Sequence, residues 1–320
     1  MIDLYTDAVF ELHETGHHPE CPARLASVRK QLEQSHRFEQ CRVHGSVPAD
    51  PQTILRVHSQ SHLDRIETTS RHGGGRLDPD TVMSPESANV ARRAAGTAVG
   101  AVDTVLGESG RQAVCLVRPP GHHALADRAM GFCLFNNIAI AAAHARAAHG
   151  LDRVLIVDWD VHHGNGTQDI FYEDGQVYFF SVHRWPFYPG TGDVGETGAG
   201  AGLGTTCNLP LQFGISRSDY RSAVANALED FARRARPQLV LASAGFDAHR
   251  ADPIGSLGLE TEDFAVLTEL VDDVARTYCE GRLVSFLEGG YDLDALAESV
   301  DCHLSTLIDR DRERAASASQ

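Results

Sequence analysis

Four short apolar runs, each leading straight into a polar segment, constrain this chain most: Val114-Cys115-Leu116-Val117, Val154-Leu155-Ile156-Val157, Leu239-Val240-Leu241-Ala242 and Leu283-Val284-Ser285-Phe286-Leu287. Runs of this length, bounded by polar residues, read as strands buried on both faces. Between them lie stretches with helical spacing: Pro85 to Leu106, opened by Ser84 and Pro85, then Asn137 to His149, Ser218 to Ala235 and Thr261 to Cys279. Strands alternating with helices require crossovers, so the expected fold class is α/β, a mostly parallel central sheet with helices on both faces. Such sheets gather their chemistry outside the carboxyl ends of the strands.

The segment Asp158-Trp159-Asp160-Val161-His162-His163-Gly164 follows the second run. Residues two apart on an extended chain point the same way, so Asp158, Asp160 and His162 can turn to one side, as at a metal site. A catalytic zinc needs a further donor and an open position for water. Ser243-Ala244-Gly245-Phe246-Asp247-Ala248-His249, after the third run, supplies Asp247. The set Asp160, His162 and Asp247 is oxygen-rich, and zinc and ferrous iron both suit it. Arg118-Pro119-Pro120-Gly121-His122-His123 brings adjacent imidazoles, and Glu288-Gly289-Gly290-Tyr291 brings a phenol beside two flexible residues.

Each feature alone has a plainer explanation. An aspartate after a strand is commonly a cap or turn residue. With 17 histidines, adjacent pairs arise without function, as His17-His18 illustrates. Phe132 and Tyr188 taken singly are ordinary core or surface aromatics. Their joint occurrence in one order is what outweighs these explanations.

Together, Arg118–His123, Gly131–Asn137, Asp158–Thr167, Phe187–Gly192, Ala244–His249 and Glu288–Tyr291 resemble, in order, the motifs of the zinc-dependent histone deacetylase superfamily. That superfamily includes acetylpolyamine amidohydrolases and acetoin-utilisation proteins, and the resemblance runs from about Tyr5 to about Leu307. It implies the arginase/deacetylase fold, with the metal on Asp160, His162 and Asp247. It further implies that His122 and His123 are the tandem catalytic histidines and that Tyr291 polarises the scissile carbonyl. Gly131, Phe132 and Tyr188 would line the acyl channel, where the family usually has phenylalanine at the last position. Arg24 would lie near the cavity through which the acid product leaves. Potassium is implied near Asp158, Asp160, His162, Ser181 and Val182.

In the resembling enzymes the first histidine pairs with the carboxylate matching Asp158, and the second often with an aspartate, for which this chain has Asn165. A carboxylate raises an imidazole pKa far more than a neutral amide does. His123 is therefore expected to be the general base and then acid, with His122 as its electrostatic partner. Asn165, the Pro19-Glu20-Cys21-Pro22-Ala23-Arg24-Leu25 segment and Asp78-Pro79-Asp80-Thr81 resemble the class II branch and its bacterial amidohydrolase relatives. Polyamine-selective members carry an acidic residue seven positions beyond the last metal aspartate, where this chain has Ile254. The expected substrate is thus an acyl-lysine or similar amine in preference to an acetylpolyamine. A binuclear manganese ureohydrolase and a non-catalytic ligand-binding homologue are weaker alternatives.

At 320 residues, 42% hydrophobic and 22% charged, the chain suits one substantial core with no linker, expected as a single domain over 1–308 and a flexible tail over 309–320. Its 7 cysteines form no Cys-x-x-Cys pair, which argues against a disulfide framework and a cysteine zinc site. The first residues do not resemble a secretory signal and no run approaches a membrane span, so cytoplasmic residence is expected. A net charge of −16 disfavours direct nucleic-acid binding and is compatible with basic substrates. Gly190 to Gly204 is expected to be a flexible loop beside the channel, and a homo-oligomer is compatible with the family resemblance.

Overall fold

The apolar runs become the centre of one sheet. The computed structural model describes residues 1–107 and 111–318. In chain order these form β1 (Ile2–Tyr5), α1 (Ala23–Gln34), β2 (Cys41–His44), α2 (Pro51–Ile54), α3 (Gln60–Arg71), β3 (Gly75–Arg76), β4 (Val82–Met83), α4 (Ser87–Leu106), β5 (Gln112–Cys115) and α5 (Asn137–His149). There follow β6 (Val154–Asp158), α6 (Asn165–Phe171), β7 (Val177–Arg184), β8 (Thr206–Leu211), α7 (Arg217–Ala235), β9 (Leu239–Ala244), α8 (Thr261–Cys279), β10 (Leu283–Leu287) and α9 (Leu293–Ala318).

Among the described residues, the main sheet has the strand order β2-β1-β5-β10-β9-β6-β7-β8, and every neighbouring pair is parallel. β3 and β4 form a separate antiparallel pair. All residues of β5, β6, β9 and β10 are buried, which is why their sequences show no polar alternation. One packed group of helices, α4 and α5, lies against β1, β5, β6, β9 and β10, while another, α1, α8 and α9, reaches β1 and β9. One apolar cluster extends from Ile2 to Ile308.

Local chemistry sets the ends of the helices. Asn136 Oδ1 accepts the Ala139 N–H at 3.0 Å to start α5, and Gly150 closes it in the left-handed conformation. Glu260 and Asp263 form a reciprocal capping box at α8. Beyond residue 309 the sequence reading needs correcting: the stretch expected as a flexible tail continues α9 to Ala318, while 319–320 lie outside the described residues. Leu304, Leu307 and Ile308 bury the preceding turns, Arg310 Nε reaches Asp272 Oδ2 of α8, and Asp311 pairs with the amino group of Met1. No helix among the described residues is long and apolar enough to cross a membrane.

Candidate active site

β5, β10, β9 and β6 are consecutive neighbours in the sheet, and their carboxyl ends carry the tandem histidines, Tyr291, Asp247 and the Asp158–His162 segment. Segments more than a hundred residues apart are thereby brought to one edge. At the end of β6 and just beyond it, Asp158 and Asp160 both face the His122 ring. Asp158 Oδ2 lies 2.9 Å from His122 Nδ1 and Asp160 Oδ1 lies 3.9 Å from His122 Nε2, while Asp160 and His162 also converge with Asp247.

Asp160, His162 and Asp247 each offer a ligand atom, all within 4.8 Å of one another. His162 Nδ1 is 3.1 Å from Asp160 Oδ1 and 3.0 Å from Asp247 Oδ2. Burial, then the Asp160 charge, pushes the Asp247 carboxyl up to about 7. Two carboxylates in one dry location are costly unless a cation joins them. One imidazole nitrogen with two carboxylate oxygens is a donor set that fits a divalent ion such as zinc. Glycine is needed at 289, since a methyl group there would stand 2.5 Å from Asp160 Oδ2 and overlap Asp247.

The tandem rings lie 4.0 Å apart and differ in their partners. Burial lowers the His122 pKa, but the charges of Asp158 and Asp160 outweigh it and raise the imidazole to about 10. His123 Nδ1 is 2.7 Å from Asn165 Oδ1, and burial, with His122 and His162 nearby, pushes its pKa well below the usual histidine range. Burial also holds the Tyr291 phenol well above its ordinary value, partly opposed by Arg24, whose guanidinium carbon is 5.0 Å from the ring centroid.

A cavity of about 210 Å³ opens onto this cluster, lined by Asp80, His123, Gly131, Phe132, His162, Phe187, Tyr188, Ile254 and Tyr291. Phe132 sits edge-on to Tyr291 at 5.7 Å, and Tyr188 edge-on to His123 at 5.3 Å. Arg24 is not in that lining. It is buried behind the site, with Nε donating to Gly290 O at 2.7 Å and Nη1 to Glu20 Oε1 at 3.2 Å. Asp158 and Ser181 are register partners on β6 and β7, with Val182 next along β7, and the Ser181 hydroxyl is engaged with His183 at 2.9 Å.

Within the glycine-rich loop, Glu196 accepts the N–H groups of Gly192 at 3.0 Å and Asp193 at 3.2 Å. His163 holds Thr191 Oγ1 at 2.8 Å, and His183 holds the Gly192 carbonyl at 3.0 Å.

Several contributors escaped the sequence reading. Glu288 Oε2 accepts the N–H groups of Gly121 at 2.6 Å and His122 at 3.2 Å, so it fixes the turn bearing the tandem rings. Asp252 accepts the N–H groups of Tyr291 at 2.7 Å and Ile254 at 2.9 Å. His18, set aside with the chance pair His17-His18, packs edge-on to Phe132 at 4.6 Å. For Glu288 the signal was its adjacency to Gly289; Asp252 and His18 carry no pattern of their own.

Comparison with known proteins follows the same lines. Residues 18–307 match the family model for the histone deacetylase domain. A histone deacetylase-like amidohydrolase of Pseudomonas aeruginosa is 40% identical over 278 residues, covering 86% of this chain and 72% of that protein. The human protein named polyamine deacetylase HDAC10 is 41% identical over 307 residues, covering 91% of this chain and 45% of that protein. The crystal structure of the HDA15 HD domain superposes with a TM-score of 0.91 at 36% identity, covering 96% of this chain and 88% of that one.

Proposed function

This chain belongs to the histone deacetylase family, and from that premise we propose that it is a metal-dependent amidohydrolase removing acyl groups, acetyl foremost, from acyl-lysine or a related acylated amine. The observation that carries this reading is the convergence of Asp160, His162 and Asp247 beside two histidines of opposite character and a protonated phenol.

Asp160, His162 and Asp247 would hold zinc, or ferrous iron. A bound divalent ion lowers the pKa of water and polarises an amide oxygen. His123 donates its Nδ1–H to Asn165, which leaves Nε2 as the acceptor that takes the proton of the attacking water and later returns it to the leaving amine. His122, kept cationic by Asp158, supplies positive charge beside the developing oxyanion. Tyr291 donates a hydrogen bond to that oxyanion, a contact of a kind worth about 3 kcal/mol in the transition state.

Phe132, with Gly131 before it, and Tyr188 would flank the acyl-bearing stem, with Ile254 at the rim. Arg24 would receive the carboxylate product. Potassium on Asp158, Asp160, His162, Ser181 and Val182 belongs to the same proposal, as does cytoplasmic residence. A second reading, acetylpolyamine hydrolysis, is favoured by Asp80 in the channel lining and by the likeness to a protein named polyamine deacetylase. Turnover of acetyl-lysine peptides, acetylpolyamines and longer acyl-lysines, after chelation and add-back of zinc or iron, tests both. Metal-dependent turnover with acetyl-lysine ahead supports the first reading, polyamines ahead supports the second, and inertness toward all would remove both.

A further inference from the structure

We propose a second divalent-metal site, on the surface, built by Asp103 of α4 with His144 and His149 of α5. His144 Nε2 lies 2.6 Å and His149 Nε2 2.7 Å from the same oxygen, Asp103 Oδ1, and the three donors lie within 4.8 Å of one another. The two rings stand 5.7 Å apart at 75°, so both aim at one point from different directions. Two imidazoles and one carboxylate are a three-ligand set for a tetrahedral zinc whose fourth ligand is water. Imidazole-rich sets select zinc, nickel or copper over magnesium.

The surroundings favour a cation. His149 is the last residue of α5, directly before the left-handed Gly150, where the unpaired carbonyls of the final turn concentrate negative charge. The present contacts are hydrogen-bond lengths, and a tetrahedral ion needs its donors about 3.3 Å apart. Asp103 can open that gap by turning, since its side chain is 51% exposed while that of His144 is only 10% exposed and stays fixed.

One group opposes the ion. Arg56 Nη1 is 2.8 Å from His144 Nδ1, and a guanidinium can only donate. It therefore holds the neutral ring in the tautomer with the proton on Nε2, facing Asp103. A metal at Nε2 requires the other tautomer, which places a proton on Nδ1 and expels Arg56. Arg56 is exposed and free to swing into solvent. It acts as a competitor of the ion through both its charge and the tautomer it selects. Metal here would cross-link α4 to the far end of α5, about 18 Å along that helix from its start at Asn137.

The experiment uses the full chain with Zn²⁺ alone, counting bound ions per chain by elemental analysis after equilibrium dialysis across a micromolar range. Wild type should hold one more ion than Asp103→Asn or His149→Ala, with deacetylation by those variants unchanged. Arg56→Ala should bind the additional ion at least about tenfold more tightly, because a charge-assisted competitor is gone. Equal ion counts in wild type and His149→Ala would overturn the proposal. So would an Arg56→Ala protein whose additional site is no tighter than that of wild type, a readout that no folding defect imitates.

Discussion

Gly289 donates its backbone N–H to Asp160 Oδ2 at 2.8 Å, and no side chain fits at that position. The strand end after β10 thus buttresses a carboxylate that comes from β6, two strands away in the sheet. Gly289→Ala should push the Asp160 and Asp247 carboxylates apart and lower both metal retention and turnover. Displacements of about 1 Å at such sites cost about 100-fold in rate. Elemental analysis and kcat/KM on the same sample check it, and a variant with normal metal content and normal rate would contradict it.

The two tandem histidines should separate on substitution. His123→Ala removes the acceptor that takes the water proton and should lower kcat by about 10²–10⁴-fold. His122→Ala removes a charge, and its loss should be the smaller of the two. Steady-state kinetics on both variants decide this, and roughly equal, small losses would remove the assignment.

Glu20 is the buried carboxylate between two arginines, with Oε2 2.9 Å from Arg118 Nη2 and Oε1 3.2 Å from Arg24 Nη1. Burial alone would raise its pKa, but Arg118 and then His13 and Arg24 overcome it and lower the value from 4.5 to about 2. A depressed folded pKa means the stabilisation is fully present above pH 4.5 and is lost as pH falls toward about 2. Glu20→Gln leaves both cations without their counter-charge and should destabilise by about 3–5 kcal/mol at neutral pH. Denaturant unfolding as a function of pH should show this gap narrowing below pH 4.5, and a gap that is constant to pH 2 would refute it.

Ile254 faces the channel, with its backbone held by Asp252. Ile254→Glu should shift the ratio of kcat/KM for acetylpolyamine over acetyl-lysine peptide upward by about tenfold, equivalent to about 1.4 kcal/mol. An unchanged ratio would show that the rim residue at 254 does not set this preference.

Much of this site was legible because its motifs are local. Asp158 to His162, Asp247 and Tyr291 each follow a strand whose apolar run announces its end. The alternation of strands and helices gave the parallel sheet, and α5, α8 and β10 have the bounds their patterns predict. What the pattern does not carry is adjacency between distant segments. That β10 sits between β5 and β9 follows from packing, as does the reach of Glu288 to the amides of Gly121 and His122. Asp158 stands outside the three-donor group of Asp160, His162 and Asp247 and pairs with His122, a division of roles that the two-residue spacing does not carry. The polar composition beyond residue 309 suggested a free tail, but salt bridges from Arg310 to α8 and from Asp311 to the amino terminus hold it as helix.

Amide hydrolysis is proposed to depend on an ion held by Asp160, His162 and Asp247. Zinc titration into chelated wild-type and Asp247→Asn proteins, followed by hydrolysis of an acetyl-lysine peptide, tests it most directly. No turnover is expected in chelated wild type, recovery is expected as zinc is added, and none is expected in Asp247→Asn at any zinc concentration that saturates the wild type. Full turnover by the chelated protein, or zinc-restored turnover in Asp247→Asn equal to wild type, would contradict it.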